Sequence, residues 1–261
     1  DTISFTVDTT APTVNSFSIT NTDPSTTQDV GVELVTDEQL TGVTVSVSGA
    51  ETATLDLSDF SESGSGPYTY TATYTGSTDG DYTVTLDSAT DAAGNDGAGS
   101  ETDTVTVDTT APSFGTPTPT DGTTTSDASQ TFSVDITDGG TGVDEGSISV
   151  TVTDANGEVL SGGTGTQGIS YSGGTLTIDG QTYADGQVDV SVDVSDTAGN
   201  SQTLSSSFTV DTTAPSIANP SPADATTVTD TSQTYTVDVS DATSGVDENS
   251  ITVTVEDGGT T

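Results

Sequence analysis

The stretch TFSVDITDGGTGVDEGSISVTV, residues 131–152, sets Phe132, Val134 and Ile136 at every second position, breaks off in Gly and Asp, and resumes with Ile148, Val150 and Val152. Apolar side chains at a period of two, with Ser, Thr and Asp between them, describe strands that bury one face and wet the other. That is the pattern of an antiparallel sheet. The same text returns, slightly altered, as TYTVDVSDATSGVDENSITVTV at 234–255. No segment of the chain carries a convincing helical period.

Further repeats surround this pair. DAAGN (91–95) returns as DTAGN (196–200), and the hexamer VDTTAP stands at 7–12, 107–112 and 210–215. A unit of about 100 residues is therefore repeated along the chain. Val43, Val45 and Val47 keep the period of two, as do Tyr68, Tyr70, Ala72 and Tyr74, and Val188, Val190, Val192 and Val194. Seven or so short strands per unit, with Gly, Asp and Pro turns between them, predict an all-β fold of tandem Ig-like antiparallel β-sandwiches arranged as an elongated rod. The expected divisions are 1–8, the last strand of a preceding unit; 9–108 and 109–211, two Ig-like domains; and 212–261, the first half of a further one. In the hexamer, Val closes the last strand of one sandwich and TTAP leads into the next, with Pro stiffening the joint.

Composition narrows the partners. The chain has 261 residues, 41 of them acidic, and no Lys, Arg or His, for a formal charge of −41. Phosphate binding rests on basic side chains, so nucleic acid is not expected as a partner, nor is an anionic membrane surface. Cations are the natural counterparts. Such a composition predicts an extracellular protein of strong brine, where the Debye length falls to ~3 Å at 1 M salt and self-repulsion is screened. Cysteine is absent, so no disulfide forms; methionine is absent even at position 1, which reads as a stretch of a longer or processed protein, without a signal peptide or membrane span.

Without His, Cys, Lys or Arg the chain can build no catalytic triad, zinc site or Schiff base, and no enzyme is expected. Two carboxylates suffice for glycoside hydrolysis, but similar loops repeated from unit to unit make poor candidates for one shaped pocket. A Lys–Asn isopeptide bond is excluded with lysine. A Thr–Gln ester stays open in principle, with Gln130 and Gln233 at equivalent places, although such Gln are far more often plain strand residues.

VDTTAP, the D-x-AGN ahead of the final strand, and SGVDENSI (244–251) after the second strand together resemble the bacterial and archaeal Ig-like repeats of large cell-surface proteins and adhesins. The resemblance covers nearly the whole chain. It implies a structural role at the cell surface or outside the cell, in a stalk, an adhesin or a filament, with neighbouring repeats as partners. In some relatives calcium sits at the domain junctions, as in cadherins.

Sandwich topology makes the same suggestion independently. The loops after the second and sixth strands lie at the pole facing the preceding domain, and the end of the last strand lies at the opposite pole. Asp108 should therefore approach Asp138 and Asp144, and Asp196 and Asn200, of the following unit. Four carboxylates and an amide repel without a cation, whereas calcium takes six to eight oxygens. The first joint would gather Asp8, Asp37, Glu38, Asp91 and Asn95, with Thr44 in the place of Asp144. The third would gather Asp211, Asp241 and Asp247. Against this stands ordinary turn chemistry, since Asp, Asn and Gly all favour tight turns. GGTGVD (139–144) also fits a calcium-binding β-roll repeat, but such rolls need consecutive copies and the next unit reads ATSGVD. Two rival readings remain: a subunit of a homopolymeric filament or surface layer, in which like chains would be partners, and a sugar-binding module of a secreted enzyme. The latter would want exposed aromatics, whereas the Tyr and Phe fall mostly on core-type positions.

Overall fold

A computed structural model describes residues 2–256; residues 1 and 257–261, at the ends of the first and last expected segments, lie outside the described residues. The first repeat holds eight strands: β1 (Val14–Ile19), β2 (Asp29–Thr36), β3 (Gly42–Gly49), β4 (Ala53–Asp56), β5 (Ser61–Gly64), β6 (Tyr68–Thr75), β7 (Gly80–Thr90) and β8 (Thr102–Val107). They form two four-stranded sheets, β1-β2-β6-β5 and β4-β3-β7-β8, with every adjacent pair antiparallel. This is the strand arrangement of an Ig-like sandwich.

The alternating side chains decide the packing. Val30, Val32 and Leu34 of β2, Val43, Val45 and Val47 of β3, Tyr82, Val84 and Leu86 of β7, and Val105 and Val107 of β8 share one buried cluster. Each fully buried Val or Leu contributes about 1.5–3 kcal/mol, so this cluster rather than any surface pair carries the stability. At the corner between β6 and β7, the hydroxyl of Tyr82 donates to the carbonyl of Thr78 at 2.7 Å. A bond of this type, back to the chain just upstream, pins that corner in many sandwiches. Gly49 turns the chain at φ 114°, where a Cβ would lie 2.0 Å from the carbonyl oxygen of Asp81. Only glycine fits such an approach.

The second repeat contains β9 (Ser113–Phe114), β10 (Thr123–Thr125), β11 (Phe132–Thr137), β12 (Ser149–Asp154), β13 (Gly157–Gly163), β14 (Ile169–Ser172), β15 (Thr175–Ile178), β16 (Gly186–Ser195) and β17 (Ser201–Val210). Its sheets are β14-β15-β11-β9 and β10-β17-β16-β12-β13, the latter with β10 parallel to β17. The first repeat has only a vestige of that parallel edge, a bridge between Ser25 and Val107. Val134, Val150 and Val192 are buried, Asp193 is exposed and Thr151 is half-buried, as the period of two requires. Tyr183 and Phe208 meet edge to face with centroids 5.5 Å apart. Beyond the last hexamer, β18 (Ser216–Ser221) pairs antiparallel with β19 (Thr236–Ser240).

The described residues fall into two compact units. One comprises the chain up to Phe114 with Ile136–Ile148 and Asp193–Gln202; the other comprises Gly115–Asp135, Ser149–Val192 and the chain from Thr203 onward. Residues 2–8 belong to no strand, and Ile3, Phe5 and Val7 are exposed. No helix among the described residues is long and apolar enough to cross a membrane.

Candidate metal centre

Two groups of three carboxylates stand out, both inside the first compact unit. Asp108, Asp138 and Asp196 place an oxygen each within 4.8 Å of one another, and so do Asp8, Glu38 and Asp91. Oxygens around one calcium lie at most about 5 Å apart, twice the Ca–O distance, so both groups have the right span.

Asp108 directly follows β8 and is only 1 % exposed. One of its carboxylate oxygens accepts from the amide of Thr110 at 3.1 Å, an Asx turn that opens the linker. The other accepts from the amide and the hydroxyl of Thr141, both at 2.7 Å. Gly140 makes this approach possible, because a Cβ there would meet the Asp108 carboxyl at 2.4 Å. Burial works against ionisation of Asp108, yet the donors from Thr141 and Thr110 outweigh it and hold the carboxyl below its ordinary 3.8.

Asp196 is 2 % exposed and sits in the loop between β16 and β17. It accepts from the amides of Gly199 and Asn200 and from the Asn200 side-chain amide. Asp138 follows β11, and its Oδ2 accepts from the amides of Gly140 and Gly142. Its Oδ1 is buried and meets no donor. An ionised oxygen shut away from water with no donor is costly unless a cation answers it. The chain has no basic side chain to do so, so the residues fit a cation from solution. They would supply carboxylate oxygens to it, and it would supply the missing positive charge.

The first joint is built alike but more loosely. Asp91 accepts from the amides of Ala93 and Asn95 and from the Asn95 side chain, which is the main reason its carboxyl is held low. Asp8, however, is exposed, and the loop that reads TDGGTGV at 137–143 reads DEQLTGV at 37–43, with Leu40 in the place of Gly140. Glu38 is pushed above its ordinary 4.5, first by burial and then by the charges of Asp91, Asp8 and Asp37. A carboxyl raised in the folded state favours folding when protonated, and that contribution is lost as pH rises from 4.5 through the raised value. Glu38→Gln in chelator is therefore expected to raise the melting temperature at neutral pH and to flatten its change toward pH 4.5. A fall at neutral pH in thermal melts would show that the charge is stabilising instead.

Several expected ligands lie elsewhere. Asp37 accepts from the amide of Thr13 at 2.7 Å, tying the edge between β1 and β2, and does not join the Asp8 group. Asp144 caps the single 3-10 turn Glu145–Ser147 by accepting from the Gly146 amide, and Asp247 caps Glu248–Ser250 in the same way through Asn249. Thr44, in the place of Asp144, likewise stands outside the three-carboxylate group of the first joint. Asn95 and Asn200 use their side-chain NH₂ groups to bridge these segments. Asn200 gives its NH₂ to the Asp108 carbonyl at 2.8 Å and to the Asp196 carboxylate, and Asn95 does the same with Asp8 and Asp91. At the third joint, Asp211 accepts from the Ser244 amide, and its carboxyl is held low chiefly by that residue. Asp241 accepts from the amides of Thr243, Ser244 and Gly245. Among the described residues no third carboxylate joins these two.

Two carboxylates escaped the sequence reading. Asp79, in the loop before β7, accepts from the amide and hydroxyl of Thr109 and from the hydroxyl of Thr110. Asp185, before β16, holds Thr212 and Thr213 identically. The second and third joints are thus clamped from behind by the repeat that each leaves. The available signal was a D-G dipeptide at the same place in both repeats, which reads as turn chemistry.

No protein-family model matches the chain, and no curated protein matches it. Among solved structures it is similar to a tetra-tandem repeat in the extending region of a large adhesion protein, at 23 % identity over 79 % of this chain and 50 % of that one, TM-score 0.36. This chain therefore spans half the length of that structure. It is similar to part of a 1.5-MDa bacterial ice-binding adhesin, at 17 % identity over 81 % and 70 %, TM-score 0.37. It is also similar to fibronectin(III)-like modules of Clostridium thermocellum CbhA, at 14 % identity over 76 % and 93 %, TM-score 0.35.

Proposed function

We propose that this chain is a structural, non-enzymatic stretch of an extracellular stalk, adhesin or filament at a cell surface, whose repeated Ig-like sandwiches are stiffened by calcium at their joints in a salt-rich medium. The observation that carries the reading is the Asp108–Asp138–Asp196 group: two of its members are buried, an oxygen of the third is buried without a donor, and no positive side chain exists to answer them. Calcium suits the all-oxygen donor set, and magnesium should substitute poorly because it demands a tighter octahedron. Both groups join a hexamer Asp to two loops of the repeat that follows, so a bound ion would remove swivel about TTAP.

The test is calcium titration by calorimetry with small-angle scattering of the full chain, in calcium and in chelator at one high salt concentration. Saturable binding of calcium with a stiffer, longer particle is expected. Equal dimensions and no heat of binding would reduce the hexamer to a turn and the acidic groups to surface charge.

A further inference from the structure

Behind the linker lies a constellation that the calcium reading does not use. Asp79 Oδ1 accepts from the hydroxyl of Thr109 at 2.9 Å and from the side-chain amide of Gln28 at 2.6 Å. Gln28 Nε2 also lies 3.3 Å from Thr109 Oγ1. A hydroxyl, a carboxylate and a primary amide thus meet in one triangle, the carboxylate touching both the proton to be removed and the nitrogen that would leave. Gln28 Oε1 is buried and without a partner, so no donor stabilises the amide from its carbonyl side.

We infer that Thr109, Asp79 and Gln28 form an acyl-transfer site that closes an ester between Thr109 Oγ1 and Gln28 Cδ. Asp79 takes the hydroxyl proton as Oγ1 attacks Cδ. The tetrahedral intermediate collapses by breaking the Cδ–Nε2 bond, and Asp79 returns the proton to the departing nitrogen. The products are the ester and one ammonia, and no oxidant or cofactor enters. Burial opposes ionisation of Asp79, but donors from Thr109, Thr110 and Gln28 outweigh it, so the carboxyl stands as the anion the first step needs.

Each missing oxyanion donor costs about 10²–10³ in rate, so the reaction is slow. A cross-link that forms once per molecule tolerates this, because fixed neighbours gain the high effective concentration of an intramolecular reaction. The second repeat provides an internal contrast. Asp185 grips Thr212 and Thr213 in the same manner, yet among the described residues no hydrogen bond joins Gln130 to either. Among the described residues the three groups meet at Gln28 and not at Gln130. Its product would tie the entry to β2 to the linker beyond β8, 81 residues apart, so that tension along the chain bypasses the sandwich between them.

Intact-mass measurement of the full chain, aged at neutral pH and high salt, tests this without reference to calcium. The expected result is a species one ammonia lighter than the sequence, with a Gln28–Thr109 cross-linked peptide on digestion and cleavage by hydroxylamine. Thr109→Ser should keep the loss, while Thr109→Val and Asp79→Ala should show the full sequence mass. Wild type that stays at the sequence mass overturns the inference. So does ammonia loss that survives Thr109→Val, since Asn156–Gly157 could lose ammonia through a succinimide.

Discussion

Asp108→Ala is expected to abolish the calcium response of the second joint, while Asp144→Ala leaves it intact. In wild type, an ion that binds only the folded joint adds about 2.7 kcal/mol at a hundredfold excess over Kd. For a domain of this size that is roughly 10–20 °C in melting temperature. Asp108 contributes a carboxylate to the group and is also anchored by Thr141 and Thr110. Its loss in chelator is therefore a balance between lost hydrogen bonds and relieved repulsion, and should be much smaller than the loss in calcium. Asp144 removes only the cap of a single turn, at about 0.5–2 kcal/mol regardless of calcium. The comparison separates a ligand from a neighbour. Melting of the three proteins by calorimetry decides it, and a wild type with the same melting temperature in calcium and chelator would sink the assignment.

Dilution of salt should unfold the chain at temperatures where brine preserves it. Two like charges 4 Å apart repel by about 1 kcal/mol in bulk water and about 4 kcal/mol at the effective dielectric of a protein surface. Here 41 acidic side chains face no basic one. Each carboxylate group holds three such pairs, and added salt shortens the screening length from ~10 Å at 0.1 M to ~3 Å at 1 M. A loss of several kcal/mol between molar and millimolar salt, in chelator, is the expected sum. Calcium at low salt should restore part of it, and a monovalent salt at the same ionic strength should restore less. Melting curves that stay flat across that range would show that the acidic surface is neutral to stability, and would remove the argument for a brine habitat.

The uses of the carboxylates divide by geometry. Asp108, Asp138 and Asp196 come from three separate segments and meet, whereas Asp144, only six residues beyond Asp138, turns into a cap. Composition could not distinguish them, since both are aspartates of one short, glycine-bearing acidic loop. What distinguishes them is the 3-10 turn at Glu145–Ser147, whose free amides claim the nearest carboxylate. Asp37 and Glu38 divide in the same way: Asp37 faces the amide of Thr13 across the sheet edge, and the next residue, Glu38, points to Asp91 and Asp8. Successive residues leaving a strand point in opposite directions, so only one of the two can reach the pole.

By itself, the sequence determined the sandwiches. Alternation in 131–152 and its repeat specify which face of each strand is buried, because a slip of one residue would turn Val134, Val150 and Val192 to water. It also determined that the hexamer Asp opens a turn and that D-x-AGN folds on itself, because both are local bonds between residues two to four apart. Only the tertiary structure decided which carboxylates share a site, that Asn95 and Asn200 donate, and that Asp79 brings Gln28 to Thr109. Those contacts join residues 30 to 92 positions apart, whose meeting depends on loop course and on room such as Gly140 leaves, and no short-range pattern in a chain can encode that distance.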